Sequence, residues 1–410
     1  MNFEQSILNI EPGNFKSVIE LPYSKSYANR ALAIASIVKG PFKIKNIATS
    51  SDVITMIKIL REIGLEIEVT KTTITVKNSF PKCEKNSSKV VKLDTGDGGT
   101  TNRILLGVLS LGKNTYELNS TEKFKDRPNN EAFKVLKKLG VKCEGPALDD
   151  RFWIRFTGPV KEPENIEVDC SDTTQFYTGF KILELVKNIN FTAKNLNTSV
   201  RYVDITRHLV EKVKSGSKEV EIPVDFSSAS YPIVFGAVKN KILIKNCHHI
   251  DQLQADSCVI DLINKIGGKV EISPDGLLIT PSTLRPFDHE CSDCPDLVPS
   301  LVFLALNISG KSRLKNVSVL RHKESDRISE TLKIIDTIGA NGLYNEDRDE
   351  LIVEGKFNIN QSVDFDLPSD HRMIILASML LRVGHMAGSV NNFSHVNKSY
   401  PEFFSHLRGE

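Results

Sequence analysis

One pattern constrains this chain more than any other: an amphipathic helix that ends in glycine recurs six times. The clearest copies are SDVITMIKILREIG (51–64), PNNEAFKVLKKLG (128–140), QADSCVIDLINKIG (254–267) and SDRISETLKIIDTIG (325–339). Weaker copies are YVDITRHLVEKVKSG (202–216) and YPEFFSHLRG (400–409). In the first, Val53, Met56, Ile57, Leu60 and Ile63 keep the i, i+3, i+4, i+7 spacing of a buried helix face. The closing glycines are Gly64, Gly140, Gly216, Gly267, Gly339 and Gly409, separated by 76, 76, 51, 72 and 70 residues. Each stands where a helix end favours a residue that tolerates positive φ. Alternating strands follow most of them, as in Leu65-Glu-Ile-Glu-Val69 and Val270-Glu-Ile-Ser273.

A second helix type alternates with the first. It starts with small polar residues and then runs apolar on most sides, which suits burial. Its copies are SKSYANRALAIASIV, GDGGTTNRILLGVLSL, SDTTQFYTGFKILEL, SSASYPIVFGAV, CPDLVPSLVFLAL and PSDHRMIILASMLL. The polar starts are suited to capping and to anion binding. The repeated unit is therefore α/β: helix, strand, helix, strands. Six units make either one solenoid or two domains of three. The short interval between Gly216 and Gly267 marks the middle, with a domain junction expected near Ile222-Pro223-Val224. No strand can follow Gly409, because the chain stops at Glu410; Lys16-Ser-Val-Ile-Glu-Leu21 is the expected replacement. Both chain ends then share the second domain.

A net charge of +2 argues against a broad nucleic-acid-binding surface, but not against a basic pocket. No apolar run approaches the roughly 18 residues of a membrane helix, and MNFEQSILNIEPGNFK lacks the pattern of a signal peptide. A cytoplasmic location is the expectation. The odd count of seven cysteines fits reduced thiols. Cys291-Ser-Asp-Cys294 is half of a zinc or redox motif, but no second C-x-x-C exists. His248-His249 and His289 could add ligands, yet nothing in the sequence brings them there, so no metal is expected.

Chemically loaded residues gather at helix starts. Lys25, Ser26 and Arg30 lie within one and a half turns. Gly96-Asp-Gly-Gly99 feeds a helix carrying Arg103; it matches no nucleotide-loop motif, and alone it reads as a cap. Arg321 to Arg327 is the densest charge cluster, where Lys323 and Arg327 are spaced to share a helical face. Arg372 opens an otherwise apolar helix and needs an anionic partner. With Arg127 and Lys398, these cations suit a small, multiply anionic metabolite held where two domains meet.

Nine motifs, in order from Leu21 to Leu407, resemble the 5-enolpyruvylshikimate-3-phosphate synthase (3-phosphoshikimate 1-carboxyvinyltransferase) family. They are LPYSKSYANRAL, GDGGTTNR, Asp126-Arg127-Pro128, SDTTQF, DFSSASY, Pro295-Asp296, KESDR, DHRM and Asn397-Lys-Ser-Tyr-Pro401. Individually, only S-K-S-x-x-N-R and K-E-[ST]-D-R are specific. The resemblance implies two domains, each of three βαβαββ units, with the active site in the interdomain cleft. The boundaries are 24–224 and 1–23 plus 225–410. It also implies transfer of the enolpyruvyl group of phosphoenolpyruvate to the 5-hydroxyl of shikimate 3-phosphate, with release of phosphate. This is a step of aromatic amino-acid biosynthesis.

By the same resemblance, Asp296 takes the hydroxyl proton, Glu324 handles the methylene proton and Lys25 assists. Shikimate 3-phosphate falls to Lys25, Ser26, Arg30, Thr173, Thr174, Gln175, Ser199, Tyr202 and Lys323. Phosphoenolpyruvate falls to Lys25, Gly99, Arg127, Gln175, Arg327, Arg372 and Lys398. No cofactor, metal, nucleic acid or membrane is implied, and the chain is expected to be a monomer. Gly99 leaves room for glyphosate.

Some positions depart from the family pattern. Thr173-Thr174 stand for a serine pair, Tyr23 for a loop glycine, Asp97 for an asparagine and Val319 for a residue often polar. Asp97 would repel an anion unless a cation such as Arg127 pairs with it. A diverged paralogue acting on another phosphorylated hydroxy acid is the alternative, and a non-catalytic repeat scaffold is the reading from a different class. The related UDP-N-acetylglucosamine 1-carboxyvinyltransferases carry a reactive loop cysteine; 112–129 here has none.

Overall fold

In the computed structural model, all six closing glycines take positive φ, from +68° at Gly339 to +107° at Gly267. The amphipathic helices end just before them, as in Ser51–Glu62 and Arg327–Thr337. The structure describes residues 7–47, 50–146, 152–355, 357 and 361–410. Residues 1–6 of the opening segment lie outside this set.

The chain forms two compact units, Tyr23–Pro223 and Met1–Pro22 with Val224–Glu410. Across the two, the six polar-start helices, three in each, are the buried ones. In Lys25–Ile37, every residue from Tyr27 onward is buried, and in Val298–Leu306 every residue is. A continuous apolar surface explains this, since no side of such a helix gains from water.

The repeat is clearest around Gly140. Val91–Asp94 and Thr115–Asn119 pair in parallel across the buried helix Gly99–Leu109. The amphipathic helix Asn130–Lys138 and Gly140 then lead into the hairpin Lys142–Glu144 with Phe152–Thr157. That hairpin pairs antiparallel with Thr115–Asn119. The sheets Asp288–Glu290/Gly310–Lys315/Glu350–Gly355/Asn341–Asn345 follow the same order.

The short interval after Gly216 has a simple cause. No hairpin follows. The single strand Glu219–Glu221 pairs parallel with Phe42–Lys45 and completes the sheet nearest the start of its own unit. The chain then enters Phe226–Val238 directly.

The strand expected at Lys16 to Leu21 does form, as Val18–Ile19, but not beside the last unit. It lies parallel to Ile242–Ile244. The helix Phe226–Val238 needs a parallel strand before it, and Glu219–Glu221 is committed to the other unit. The place left empty after Gly409 is instead taken by Leu8–Ile10, antiparallel to Gly388–Val390. Arg382 fastens these ends, donating to the carbonyls of Glu11, Asn14 and Arg408. Among the described residues, no helix is long and apolar enough to cross a membrane.

The last helix, Phe403–Arg408, carries a buried histidine. His406 lies 2.9 Å (Nδ1) from the Tyr400 hydroxyl and packs near Phe15. Burial, helped by the nearby Lys16 charge, holds its pKa down at about 4 against 6.5 unfolded. The folded value is depressed, so the neutral ring's contribution is complete above 6.5 and is lost as pH falls towards 4. At about 1.4 kcal/mol per unit, about 3 kcal/mol is at stake. Urea unfolding from pH 7 to pH 4 checks this: His406→Gln is expected to flatten the acid limb.

Candidate active site

Asp296 sits in a single 3₁₀ turn, Pro295–Leu297, that opens the buried helix Val298–Leu306. Three cations meet its carboxylate. Arg327 Nη1 is 2.9 Å away, Arg372 Nη2 3.3 Å and Lys323 Nζ 3.6 Å. Burial opposes ionisation here, but Arg372, Lys323 and Arg327 outweigh it and hold the carboxyl well below 3.8.

Arg327 is the hub. Its side chain is 1% exposed, and its fork reaches Asp370 through Nε at 2.8 Å and Nη2 at 3.3 Å. Nη2 also bonds Glu324 Oε2 at 2.8 Å. Glu324 in turn faces Lys398 Nζ at 3.6 Å. Asp370 caps the helix His371–Val383 through the Arg372 N–H and accepts from Ser325 Oγ. Arg372 donates to the Asp296 carbonyl at 2.9 Å and to the Tyr231 hydroxyl at 3.3 Å. Four cations thus stand against the carboxylates of Asp296, Glu324 and Asp370 in direct contact.

One expectation fails. Lys323 and Arg327 do not share a helical face, because the helix begins at Arg327 and Asp326 is its cap. Lys323 is in extended backbone after the turn Ser318–His322. Asp326 takes the N–H groups of Ile328 and Ser329, which fixes the helix start one turn later than charge spacing suggests. Lys323 and Arg327 nonetheless meet at Asp296.

Tyr23–Pro223 carries the other set. Lys25 opens the helix Lys25–Ile37 and pairs with Asp52 at 3.1 Å. Arg30 is buried on the same helix. It donates to Thr206 Oγ1 (2.9 Å), Ser26 O (2.8 Å), Tyr202 O (3.2 Å) and Thr178 Oγ1 (3.3 Å). Burial without a carboxylate in this shell lowers its pKa to about 10. Arg30 therefore supplies charge while its donors brace Ser26 and Tyr202. Ser199, next to them, caps the helix Val200–Lys214 with a left-handed φ of 57°, a conformation uncommon for serine and concentrated at functional sites.

Gly99, Arg127 and Gln175 converge. A Cβ on Gly99 would lie 2.8 Å from Arg127 Nη1 and 3.0 Å from Gln175 Oε1. Arg127 rests over the Phe124 ring, and its buried Nε has no hydrogen-bond partner. Arg103 bonds the neighbours of this group. Its guanidinium bonds Gln175 Oε1 (2.8 Å), Pro128 O (2.8 Å) and Asn129 Oδ1 (3.2 Å), fixing both neighbours of the site. Thr173 Oγ1 accepts from Gln175 N and Arg103, while Thr174 is buried at the helix start.

The family model of EPSP synthase (3-phosphoshikimate 1-carboxyvinyltransferase) matches residues 10–407. The chain belongs to the EPSP synthase family. A relative named 3-phosphoshikimate 1-carboxyvinyltransferase from Pyrococcus abyssi is 30% identical, over 95% of this chain and 94% of its own. One of the same name from Vibrio campbellii is 26% identical over 98% of both. In fold, the chain is similar to the EPSP synthase of Acinetobacter baumannii, with a TM-score of 0.75 at 21% identity, covering 98% of this chain and 97% of that one. It is equally similar to the enolpyruvyl transferase NikO of Streptomyces tendae, with a TM-score of 0.76 at 14% identity over 98% and 97%.

Sequence reasoning on this EPSP synthase family member missed Asp52, Asp370 and Tyr231. Asp370 had a signal: an acid two residues before a buried arginine, at a helix cap. Tyr231 ends the DFSSASY motif, but only the fold brings it to Arg372; Asp52 had no signal, since only the fold brings it to Lys25.

Proposed function

We propose that this protein transfers the enolpyruvyl group of phosphoenolpyruvate to the 5-hydroxyl of shikimate 3-phosphate. The observation that carries this is the pair of carboxylates, Asp296 and Glu324, both bonded to Arg327 and each flanked by further cations. The reaction needs such a pair: one proton leaves a hydroxyl and one arrives at a carbon, between anionic groups.

In the first half, Asp296 accepts the 5-hydroxyl proton as that oxygen bonds to C2 of phosphoenolpyruvate. Glu324, carrying a proton in the complex with both substrates, delivers it to C3, and a tetrahedral adduct forms. In the second half, Glu324, now ionised, takes a proton from the new methyl group, the double bond returns, the C2–O bond to phosphate breaks, and Asp296 gives its proton to the leaving phosphate. Lys25 neutralises charge on the departing phosphate. Arg327, Arg372, Lys398, Arg127 and Gln175 hold phosphoenolpyruvate beside Gly99. Ser26, Thr173, Thr174, Ser199, Tyr202 and Lys323 hold shikimate 3-phosphate, with Arg30 behind them.

The electrostatics add a condition. In the free protein, Asp296 is a weak base because three cations hold it ionised. A bound phosphate and carboxylate compete for those cations, which raises the basicity of Asp296 as the substrates arrive. The base is thereby activated by substrate.

The protein acts as a cytoplasmic monomer on small molecules, in aromatic amino-acid biosynthesis. The test is phosphate release from the purified protein. Release is expected only with both substrates present; equal release from phosphoenolpyruvate alone would refute the reading. No release with shikimate 3-phosphate, but release with another phosphorylated hydroxy acid, would favour a paralogue.

Gly99→Ala gives a narrower prediction. The methyl group would press on Arg127 and Gln175, at a cost of about 1–3 kcal/mol in the bound state. The KM for phosphoenolpyruvate should rise about tenfold, and inhibition by glyphosate should weaken in parallel. The melting temperature should fall modestly, because Gln175 Oε1 is held by Arg103 and Arg127 packs over Phe124, so both must shift. Steady-state kinetics check this.

A further inference from the structure

Outside the catalytic residues, one cluster has a geometry of its own. Cys258 starts the helix Cys258–Lys265, His289 lies in the strand Asp288–Glu290, and Cys294 caps the turn Pro295–Leu297. The Sγ atoms of Cys258 and Cys294 are 3.8 Å apart. His289 Nε2 lies 3.6 Å from the first and 3.5 Å from the second. These ligand atoms all lie within 4.8 Å of one another.

The three distances are those of a tetrahedral edge set. Bonds of about 2.3 Å to sulfur and about 2.0–2.1 Å to nitrogen, at the tetrahedral angle, give edges of about 3.8 Å between sulfurs and about 3.5–3.6 Å from sulfur to nitrogen. Thiol hydrogen bonds reach the same lengths, and the metal content separates the two arrangements. A disulfide would need the sulfurs about 2.05 Å apart.

We propose that Cys258, His289 and Cys294 bind a soft divalent transition-metal ion, zinc before others, as a structural site. Two thiolates and an imidazole favour zinc over harder ions such as magnesium or calcium. The backbone supports the loop: Cys294 N donates to Cys291 O at 3.1 Å, closing the C-x-x-C turn, and Cys291 N donates to Lys315 O. Among the described residues these three are the protein ligands that lie together, so the fourth position would fall to a further donor. Both Cys258 and Cys294 are free thiols. Zinc would convert them to thiolates and release their protons.

The ligands come from three elements that are separate in sequence, so the ion would clip a helix start, a sheet edge and a turn together. Cys294 is two residues before Asp296. The clip would therefore fix the turn that presents the proposed base, while taking no part in the chemistry. This inference does not depend on the proposed activity.

Elemental analysis of the full-length protein, purified under reductant with zinc in the growth medium, tests it. One equivalent of zinc per chain is expected. Cys258→Ala and His289→Ala should lose it, and Cys83→Ala, in the other unit, should retain it. Chelation should lower the melting temperature of the parent protein but not of Cys258→Ala. Should the variants fail to fold, the parent protein decides: the chelated form titrated with Co²⁺ should develop intense tetrahedral visible bands with thiolate charge transfer, displaced by zinc. Metal at background with no cobalt bands would overturn the proposal, as would a Cys258–Cys294 disulfide in the reduced preparation.

Discussion

Arg327→Leu is expected to lower stability by about 3–5 kcal/mol and to abolish turnover. The cost follows from what is left behind. Asp370 is fully buried, and Arg327 is its cationic partner at 2.8 Å. Removing one member of a buried pair strands the other charge in a poorly solvated site. Glu324 and Asp296 lose a donor at the same time. Urea unfolding measures the stability loss and a phosphate-release assay the activity. The two effects separate in a second variant. Arg327→Leu with Asp370→Asn removes the stranded charge and should recover part of the stability, because the helix cap keeps an acceptor. It should recover none of the activity. Full activity in either variant would mean that Arg327 serves the fold alone.

Asp296→Asn is expected to lower kcat by about 100- to 10,000-fold, the usual span for a positioned general base. Its effect on stability has a defined sign. The folded pKa of Asp296 lies well below 3.8, so its contribution is complete above that value and is lost as pH falls below it. At pH 7 the variant loses the carboxylate that draws Arg327, Arg372 and Lys323 together. Their mutual repulsion makes the variant less stable, most visibly at low ionic strength. Binding of phosphoenolpyruvate should survive or tighten, because the cations no longer have a competing carboxylate. A KM that falls while kcat collapses is the signature of a base that also restrains its neighbours. A variant with unchanged kcat would remove Asp296 from the chemistry.

The repeat was legible because glycine caps and buried apolar helices are local properties. Gly64 through Gly409 each needed only their own helix to take positive φ. The strand exchanges were not legible. Whether Val18–Ile19 or Leu8–Ile10 fills a given sheet edge depends on which edge is empty, and that is a property of the assembled unit. The site divides the same way. Lys25, Arg327 and Arg372 could be named from the polar starts of apolar helices. Their partners Asp52, Asp370 and Tyr231 come from elsewhere in the chain and become neighbours only on folding. Lys323 shows the error of reading charge spacing as a helix: the Asp326 cap starts the helix later. Cys258 shows the converse, since 31 residues separate it from His289 and no motif links them.

The most direct test of the proposed transfer follows phosphorus itself. ³¹P NMR of the complete reaction should show the phosphoenolpyruvate resonance replaced by inorganic phosphate, one for one. The phosphate ester of the acceptor should persist in the enolpyruvyl ether. Loss of the acceptor's own phosphate, or phosphoenolpyruvate unchanged in the presence of shikimate 3-phosphate, would contradict it.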